Sequence, residues 1–238
     1  MTHDGNQRGG GCAVVIGAQG GIGAALMAAL QARPDQFSQV LGFGRHTEPA
    51  LNLLDEASIA QCAAQVAGTG LPLRLVIDAT GFLHGQGFEP EKTMRQIDPA
   101  HMAHAFAINA IGPALLMKHF LPLMPRQGAA CFATLSAKVG SIGDNRLGGW
   151  YSYRAAKAAL NQLVRTASVE LQRRAPQAVC VALHPGTVDT GLSQPFGKQG
   201  LKLHTPEECA ANLLAVIDGF TPEATGRFWS WDGAELPW

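Results

Sequence analysis

This 238-residue chain predicts an α/β fold, a doubly wound parallel sheet with helices on both faces. Three observations predict it. Short apolar runs such as Cys12-Ala13-Val14-Val15-Ile16 have the unbroken hydrophobicity of strands buried on both faces. Helix-length segments alternate with these runs along the whole chain, as in successive βαβ units. The length suits one domain, and a composition 47% hydrophobic and only 15% charged can bury a large core.

The elements follow in order. Residues 1–11 are polar and glycine-rich, with no apolar signal core, and read as a flexible tail ahead of a single domain over 12–238. After the first strand comes a helix over 22–32, stopped near Pro34, then a second strand over 39–43. Residues 51–53 read as a short third strand. Asp55 caps a helix running to about residue 67, and 73–79 form the next strand. Asp98 as cap and Pro99 in the first turn open a long helix to residue 123, bent at Gly112-Pro113. A strand over 129–135 and a loop over 137–149 lead to a helix over 151–174. A strand over 178–183 follows. Thr205-Pro206-Glu207-Glu208 carries a capping pattern for a helix to about 218, and 227–231 close as the last strand. There is no repeat or linker, so no second domain is expected.

Several function classes are excluded. A formal net charge of +0 offers no basic excess for nucleic acid or acidic membranes. No apolar run approaches the roughly 20 residues of a membrane span. The five cysteines are scattered without metal-type spacing and read as buried reduced thiols, which fits a cytoplasm. His101 and His104 stand three apart on a helix, but no third ligand suggests itself. A solvated face and no metal are therefore expected.

Two places carry chemistry. Tyr153 and Lys157 lie four residues apart at the start of a helix, where such residues are surface neighbours. A fixed cation favours the phenolate and tunes a tyrosine, ordinarily titrating near pH 10, for acid/base work. Gly17-Ala18-Gln19-Gly20-Gly21-Ile22-Gly23 lies between a strand and a helix, where glycines let the backbone approach a pyrophosphate at a helix N-terminus. Its spacing is G-x-x-x-G-x-G rather than G-x-G-x-x-G. After the second strand stands Arg45, where an acid would bind the ribose of NAD. An arginine accommodates the 2′-phosphate of NADP, so NADP is expected, with NAD left open.

With these residues in place, the chain resembles the short-chain dehydrogenase/reductase family over nearly its whole length after the tail. Gly17-x-x-x-Gly21-Ile22-Gly23, Asn109, Tyr153-x-x-x-Lys157 and Pro185-Gly186-x-Val188-x-Thr190 occur in the family's order and approximate spacing. Within the family, the run from Val139 to Arg154 and the ending Trp231-Asp232-Gly233-Ala234-Glu235-Leu236-Pro237-Trp238 look like the C-factor and sniffer-type carbonyl reductases. The resemblance implies a single-domain Rossmann-type fold and hydride transfer between nicotinamide C4 and a carbonyl carbon. Tyr153 would exchange a proton with the substrate oxygen, and Lys157 would hold the nicotinamide ribose and depress the tyrosine. Asn109 would sit at a helix irregularity and hold a relay water. Val188 and Thr190 would meet the carboxamide, with Pro185 and Gly186 beside them. Asn52 and Leu53 would lie beside the adenine, and Ala79, Thr80 and Gly81 would line the cofactor.

The pattern departs from the family at three places. Asn-Asn-Ala-Gly is here Asp78-Ala79-Thr80-Gly81, which changes the hydrogen bonding at Asp78. An acid beside the adenine is here Asn52. In Leu135-Ser136-Ala137-Lys138-Val139-Gly140, strict matching puts Ala137 at the catalytic serine. Adjacent strand residues face opposite ways, so Ser136 can serve only if the strand end twists or bulges. Ser136 is favoured; Ser141 on the loop, or no serine at all, stay open. Phe82, Leu83, His84, Trp150 and the segment 192–203, with Pro195 and the glycines at 191, 197 and 200 marking a lid, should flank the crevice, either as an apolar pocket for a small carbonyl or alcohol substrate or as plain packing. Apolar faces on the 98–123 and 151–174 helices would pair two copies, as the resemblance implies. A rival reading is a nucleotide-binding sensor or signalling protein with little turnover, motivated by the C-factor likeness and the displaced serine.

Overall fold

The computed structural model describes residues 10–191 and 203–238. The expected tail falls almost entirely outside them, as does the segment 192–202, which carries the expected lid. Strands β1 (Gly11–Ile16), β2 (Phe37–Phe43), β3 (Leu73–Asp78), β4 (Ala130–Leu135) and β5 (Ala178–His184) form a parallel sheet with β8 (Phe228–Ser230). The order is β2-β1-β3-β4-β5-β8, with β9 (Glu235–Leu236) at the edge beyond β8. The chain moves from β1 outward to β2, then crosses back to β3 on the other side. The C-terminal ends of β1 and β3 therefore open a crevice at the point where the winding reverses, the usual ligand position in such sheets.

Strand alternation sorts the core into two layers. Cys12, Val14, Ile16, Val76, Phe132 and Cys180 face one side. There they meet α2 (Glu56–Gly68), α4 (Gly112–Phe120) and α5 (Tyr151–Arg174) through Ile59, Phe120 and Leu160. Ala13, Val15, Leu75, Ile77 and Val181 face the other. They meet α1 (Gly21–Gln31) and α6 (Pro206–Asp218) through Leu26, Leu30, Leu213 and Ile217. The expected caps are present: Asp55 accepts from the Ala57 amide, Asp98 from His101, and Thr205 and Glu208 form a reciprocal capping box.

Four expectations are corrected. Residues 51–53 form no strand. Asn52 turns the chain, its Oδ1 accepting from the Leu54 amide at 3.1 Å, and Leu51 and Leu53 are buried by side-chain packing instead. Phe228–Ser230 is not the last strand, because Glu235–Leu236 (β9) returns antiparallel beside it. A further two-stranded parallel pair joins β6 (Thr187–Val188) to β7 (Leu203–His204). The long helix is three pieces: α3 (Pro99–Phe106), a π turn (Ala107–Ile111), then α4. By length and composition alone, Pro99–Leu123 could cross a membrane, which the interrupting His101, His104, Asn109 and Lys118 hid from a reading by apolar runs. Its Ala105, Ala110, Leu116 and Phe120 are buried in the domain.

Candidate active site

The turn after β1 is built by close approach. Gly17 takes φ +80, and a Cβ on Gly23 would collide with the Gly17 carbonyl oxygen. A Cβ on Gly21 would lie 2.8 Å from Thr190 Cγ2, so Thr190 closes over the start of α1. Only glycine fits at these places. The turn opens into a groove of about 610 Å³ lined by Gly17, Gln19, Gly20, Arg45, Asn52, Leu53, Ala79, Thr80 and Gly81. Gln19 also links the turn to the end of β2, its Oε1 accepting from the His46 amide at 3.2 Å. Thr47 Oγ1 accepts from the Gly44 amide at 3.0 Å, which fixes the bend carrying Arg45.

His46, Phe82, His84, Gln86, His104 and Ile108 complete the groove. Among the described residues lining it there are four basic side chains (Arg45, His46, His84, His104) and no carboxylate. Such a lining suits a polyanion. Gly81 joins the groove to the buried chemistry: a Cβ there would lie 3.6 Å from Asn109 Oδ1 and 3.9 Å from Lys157 Nζ.

Asn109 stands in the π turn, the irregularity that the resemblance implied, and π turns inside α-helices recur at functional sites. Its Oδ1 accepts from the Phe82 amide at 2.9 Å, and its Nδ2 donates to the Phe82 carbonyl at 2.8 Å. Both side-chain atoms are therefore committed to the main chain beside Gly81, a brace rather than a side-chain perch for water. Leu53 packs at the end of the π turn, where Gly112 leaves room for it.

Tyr153 and Lys157 are both buried, with Nζ 5.9 Å from the phenol ring centroid. Lys157 Nζ donates to the Leu135 carbonyl at 2.7 Å. Gly140 presses directly on this helix, since a Cβ there would lie 2.7 Å from Lys157 Cβ. The expected lowering of the phenol is reversed. Loss of water disfavours the charged form, and burial holds Tyr153 above its ordinary value. The same burial pushes Lys157 down to about 8, opposed by the charge of Asp78. Asp78 is fully buried; its Oδ1 accepts from the Thr80 amide and hydroxyl, and its Oδ2 from the Thr134 hydroxyl at 2.7 Å. Burial raises its carboxyl despite these bonds. A neutral phenol beside an ammonium is a proton donor in waiting.

Ser136 lacks the geometry its expected role required. Pairing of β4 with β5 runs without a shift to Leu135↔Leu183, and the Ser136 amide continues the ladder to the Leu183 carbonyl at 2.7 Å. With no bulge, Ser136 Oγ is buried and donates to Asn161 Oδ1 at 2.7 Å, one turn past Lys157 on α5. Ser141 Oγ accepts from the Asp144 amide and donates to the Trp238 main-chain oxygen. His101 is also unlike its expectation. It is buried, not solvated, because the loop after β3 covers it: Phe88 stacks on its ring at 5.0 Å and Glu91 lies 3.4 Å from Nδ1. Glu91, Asn161 and the basic groove residues His46 and His104 were not among the expected site residues, since each acts through a partner distant in sequence. Among the described residues no cluster of three metal-ligating side chains occurs.

Pro185, Gly186 and Val188 follow β5 without lining the groove. A Cβ on Gly186, at φ +79, would lie 2.9 Å from Trp231 Cδ1. His184, at the end of β5, accepts the Lys138 amide on Nδ1 at 3.3 Å and so anchors the loop after β4. Burial pushes its imidazole down to about 4, so it stays neutral.

A doubly wound sheet with a switch-point groove leading to a buried phenol–ammonium pair is the architecture, and the matches to known proteins make the chain an oxidoreductase. The chain belongs to the short-chain dehydrogenase/reductase family. Residues 12–212 match the family model described as Enoyl-(Acyl carrier protein) reductase. Over 236 residues the chain is 30% identical to 1-hydroxy-2-glutathionyl-2-methyl-3-butene dehydrogenase of Rhodococcus sp. (strain AD45), covering 94% of this chain and 98% of that protein. Over 143 residues it is 42% identical to C-signal of Myxococcus xanthus, 60% of this chain and 81% of that one. The NADPH-bound carbonyl reductase from chicken fatty liver superposes with a TM-score of 0.85 at 27% identity, covering 99% and 97% of the two chains. Carbonyl reductase Sniffer of D. melanogaster, at 22% identity and TM-score 0.80 over 96% and 99%, shares the fold.

Proposed function

We propose that this oxidoreductase is NADP(H)-dependent and acts on a carbonyl or alcohol substrate, with Tyr153 as acid/base and Lys157 as its fixed cation. The observation that carries the reading is Gly81, the point where the groove lined by Arg45, His46, His84 and His104 meets Asn109 and Lys157. The NADPH-bound state of the chicken carbonyl reductase and the name of the Rhodococcus dehydrogenase support it.

The glycine turn and the groove fit a dinucleotide. Gly17, Gln19, Gly20, Gly21, Ile22 and Gly23 would hold its pyrophosphate at the start of α1. Arg45 would take the 2′-phosphate, Asn52 and Leu53 the adenine, and Ala79, Thr80 and Gly81 the middle of the molecule. Pro185, Gly186, Val188 and Thr190 would meet its nicotinamide end. When bound, the cofactor supplies the hydride. Tyr153, neutral and buried, gives its phenolic proton to the substrate oxygen as negative charge develops there. Lys157 stabilises the charge left on Tyr153. Asn109 holds the Phe82 backbone in place beside Gly81. The bond from Ser136 to Asn161 favours a supporting role behind Lys157 over direct donation to substrate, so Tyr153 handles the oxygen without a serine partner. Pairing of copies through the 98–123 and 151–174 helices belongs to the proposal, supported by a groove between them that presents Met117, Leu121 and Leu163 beside Lys118, Glu170 and Arg174. So does a cytoplasmic setting, supported by five buried free thiols.

A panel of aldehydes and ketones assayed with NADPH tests the reading, and turnover of at least one is expected. A second reading, a nucleotide-binding signalling protein with little turnover, draws on the identity to C-signal. NADPH binding with no turnover across the panel would favour it.

Arg45→Ala should weaken NADPH binding far more than NADH binding, because a guanidinium makes charge-assisted bonds to a phosphate. Equal losses for both cofactors would refute that assignment. Ser136→Ala should lower the unfolding midpoint, since it leaves Asn161 Oδ1 buried without a donor at a cost of about 1–3 kcal/mol. Turnover should fall little; a sharp fall at normal NADPH affinity would return Ser136 to the substrate.

Lys157 gives a pH prediction with opposite signs for activity and stability. Its ammonium loses its proton as pH rises through about 8, so kcat/KM should decline above that pH. Between about 8 and the ordinary value of 10.5 the unfolded chain holds more protons at this residue than the folded chain. Its contribution to stability therefore increases with pH across that window. Thermal midpoints of wild type and Lys157→Met, compared between pH 8 and 10, isolate it. A kcat/KM that stays level to pH 10 would separate the ammonium from the reaction.

A further inference from the structure

We propose that Glu91 is the positioning residue for the Tyr153 end of α5, setting the phenol against the Asn109 turn; this rests on the reading of Tyr153 as acid/base. Helix α5 is 24 residues long, yet its own sequence supplies no side-chain cap and no acid in the first turn. A helix start without such partners leaves amide donors and partial positive charge unanswered. Glu91, from the loop after β3, supplies both. Its carboxylate, 2% exposed, accepts the Ser152 amide at 3.2 and 3.3 Å and the Ser152 hydroxyl. Its main-chain oxygen accepts the Trp150 amide at 2.5 Å.

The cap residue Trp150 is held at φ 51, ψ 44. That conformation is a genuine outlier for a bulky residue, costing about 1–3 kcal/mol, and persists only where surroundings enforce it. Gly149, at φ +66, lets the two backbones come close: a Cβ there would lie 3.3 Å from the Glu91 carbonyl oxygen. In this pose Trp150 sets its ring edge-on to Tyr153, centroids 6.2 Å apart at 72°.

The same carboxylate lies 3.4 Å from His101 Nδ1 on α3, two turns ahead of Asn109. One buried acid thus touches the helix that leads to the Phe82 brace and the helix that carries the phenol. An unpartnered buried carboxylate would be strongly unfavourable. Here its partners are the parts whose relative placement the reaction needs.

Glu91→Ala should lower kcat by about 10²-fold, the scale of a 1 Å misplacement of a reacting group. KM and NADPH affinity should hold. Glu91→Gln, which keeps an acceptor of the same size, should recover most of the loss. A second readout needs no turnover. The chain has two tyrosines, so in a Tyr151→Phe background phenolate absorbance follows Tyr153 alone. Glu91→Ala should bring its titration down toward about 10 as the helix start loosens and water enters. If Glu91→Ala does not fold, Ser152→Ala, which removes only the hydroxyl donor, carries the same comparison. Unchanged kcat with an unmoved titration overturns the proposal. So does a parallel loss of turnover and NADPH affinity that Gln does not rescue, which would assign Glu91 to bulk structure. If Tyr153→Phe itself keeps full turnover, the acid/base reading fails, and the titration alone decides Glu91.

Discussion

Tyr153→Phe is expected to lower turnover by about 10²–10⁴-fold, the usual contribution of a general acid–base group, while NADPH binds almost as before. The variant removes one oxygen and no packing volume, so the fold should hold. Burial raises the Tyr153 phenol, so across the neutral range the wild type carries a proton to give and the variant carries none. The loss should then appear in kcat, with KM little changed, because the donated bond strengthens only as charge develops on the substrate oxygen. Steady-state kinetics on any carbonyl that the wild type reduces checks this. Near wild-type turnover would move the proton donor elsewhere.

Gly23→Ala should be the most damaging single-methyl change in the nucleotide groove. The added carbon collides with the Gly17 carbonyl, a main-chain atom that cannot rotate away. Either α1 retreats from β1 or the turn opens. Overpacking of this kind costs roughly 1–3 kcal/mol, occasionally more, and the shift falls on a turn whose Gly17 and Gly20 line the groove. Both the thermal midpoint and NADPH affinity should fall. Gly68→Ala is the control: it meets nothing within 4 Å at the end of α2, and relieving a glycine's unfolded-state freedom should stabilise by about 0.4–1 kcal/mol. Titration of NADPH fluorescence on both variants separates the two. Normal affinity in Gly23→Ala would mean that the turn tolerates the shift.

What could be read from the sequence was local. Asp55, Asp98 and Thr205 announce helix starts because capping is decided within three or four residues. The alternation rule also anticipated the geometry at Ser136: adjacent strand residues face opposite ways, and the unshifted pairing kept that rule in force. The missed features depend on distant partners. Leu51 and Leu53 have strand composition, but Asn52 turns the chain between them and Leu53 fills the space left by Gly112. His101 has the spacing of an exposed face until Phe88 and Glu91 fold over it. Glu91 sits in an unremarkable Glu-Pro-Glu run, and its partner Ser152 is 61 residues away. For Tyr153 the neighbour was legible and the sign was not. Proximity of a cation is written in the i, i+4 spacing, whereas desolvation is a property of everything packed around it.

The π turn at 107–111 makes this stretch unusually sensitive to the length of the coding sequence. Such a turn is an α-helix holding one residue too many, and Asn109 reaches Phe82 because of that surplus. Loss of a single codon within the turn would let the helix revert to regular winding, preserving its apolar character and improving its hydrogen bonding. Because the turn takes up the surplus as a local widening, its removal would leave α3 and α4 close to their present directions. His101 would stay beside Glu91 and Phe88, while Asn109 would lose the widened turn from which it reaches Phe82. Substitutions at 107–111 can be absorbed one by one, whereas an in-frame deletion there would remove the Phe82 brace while leaving a better helix behind.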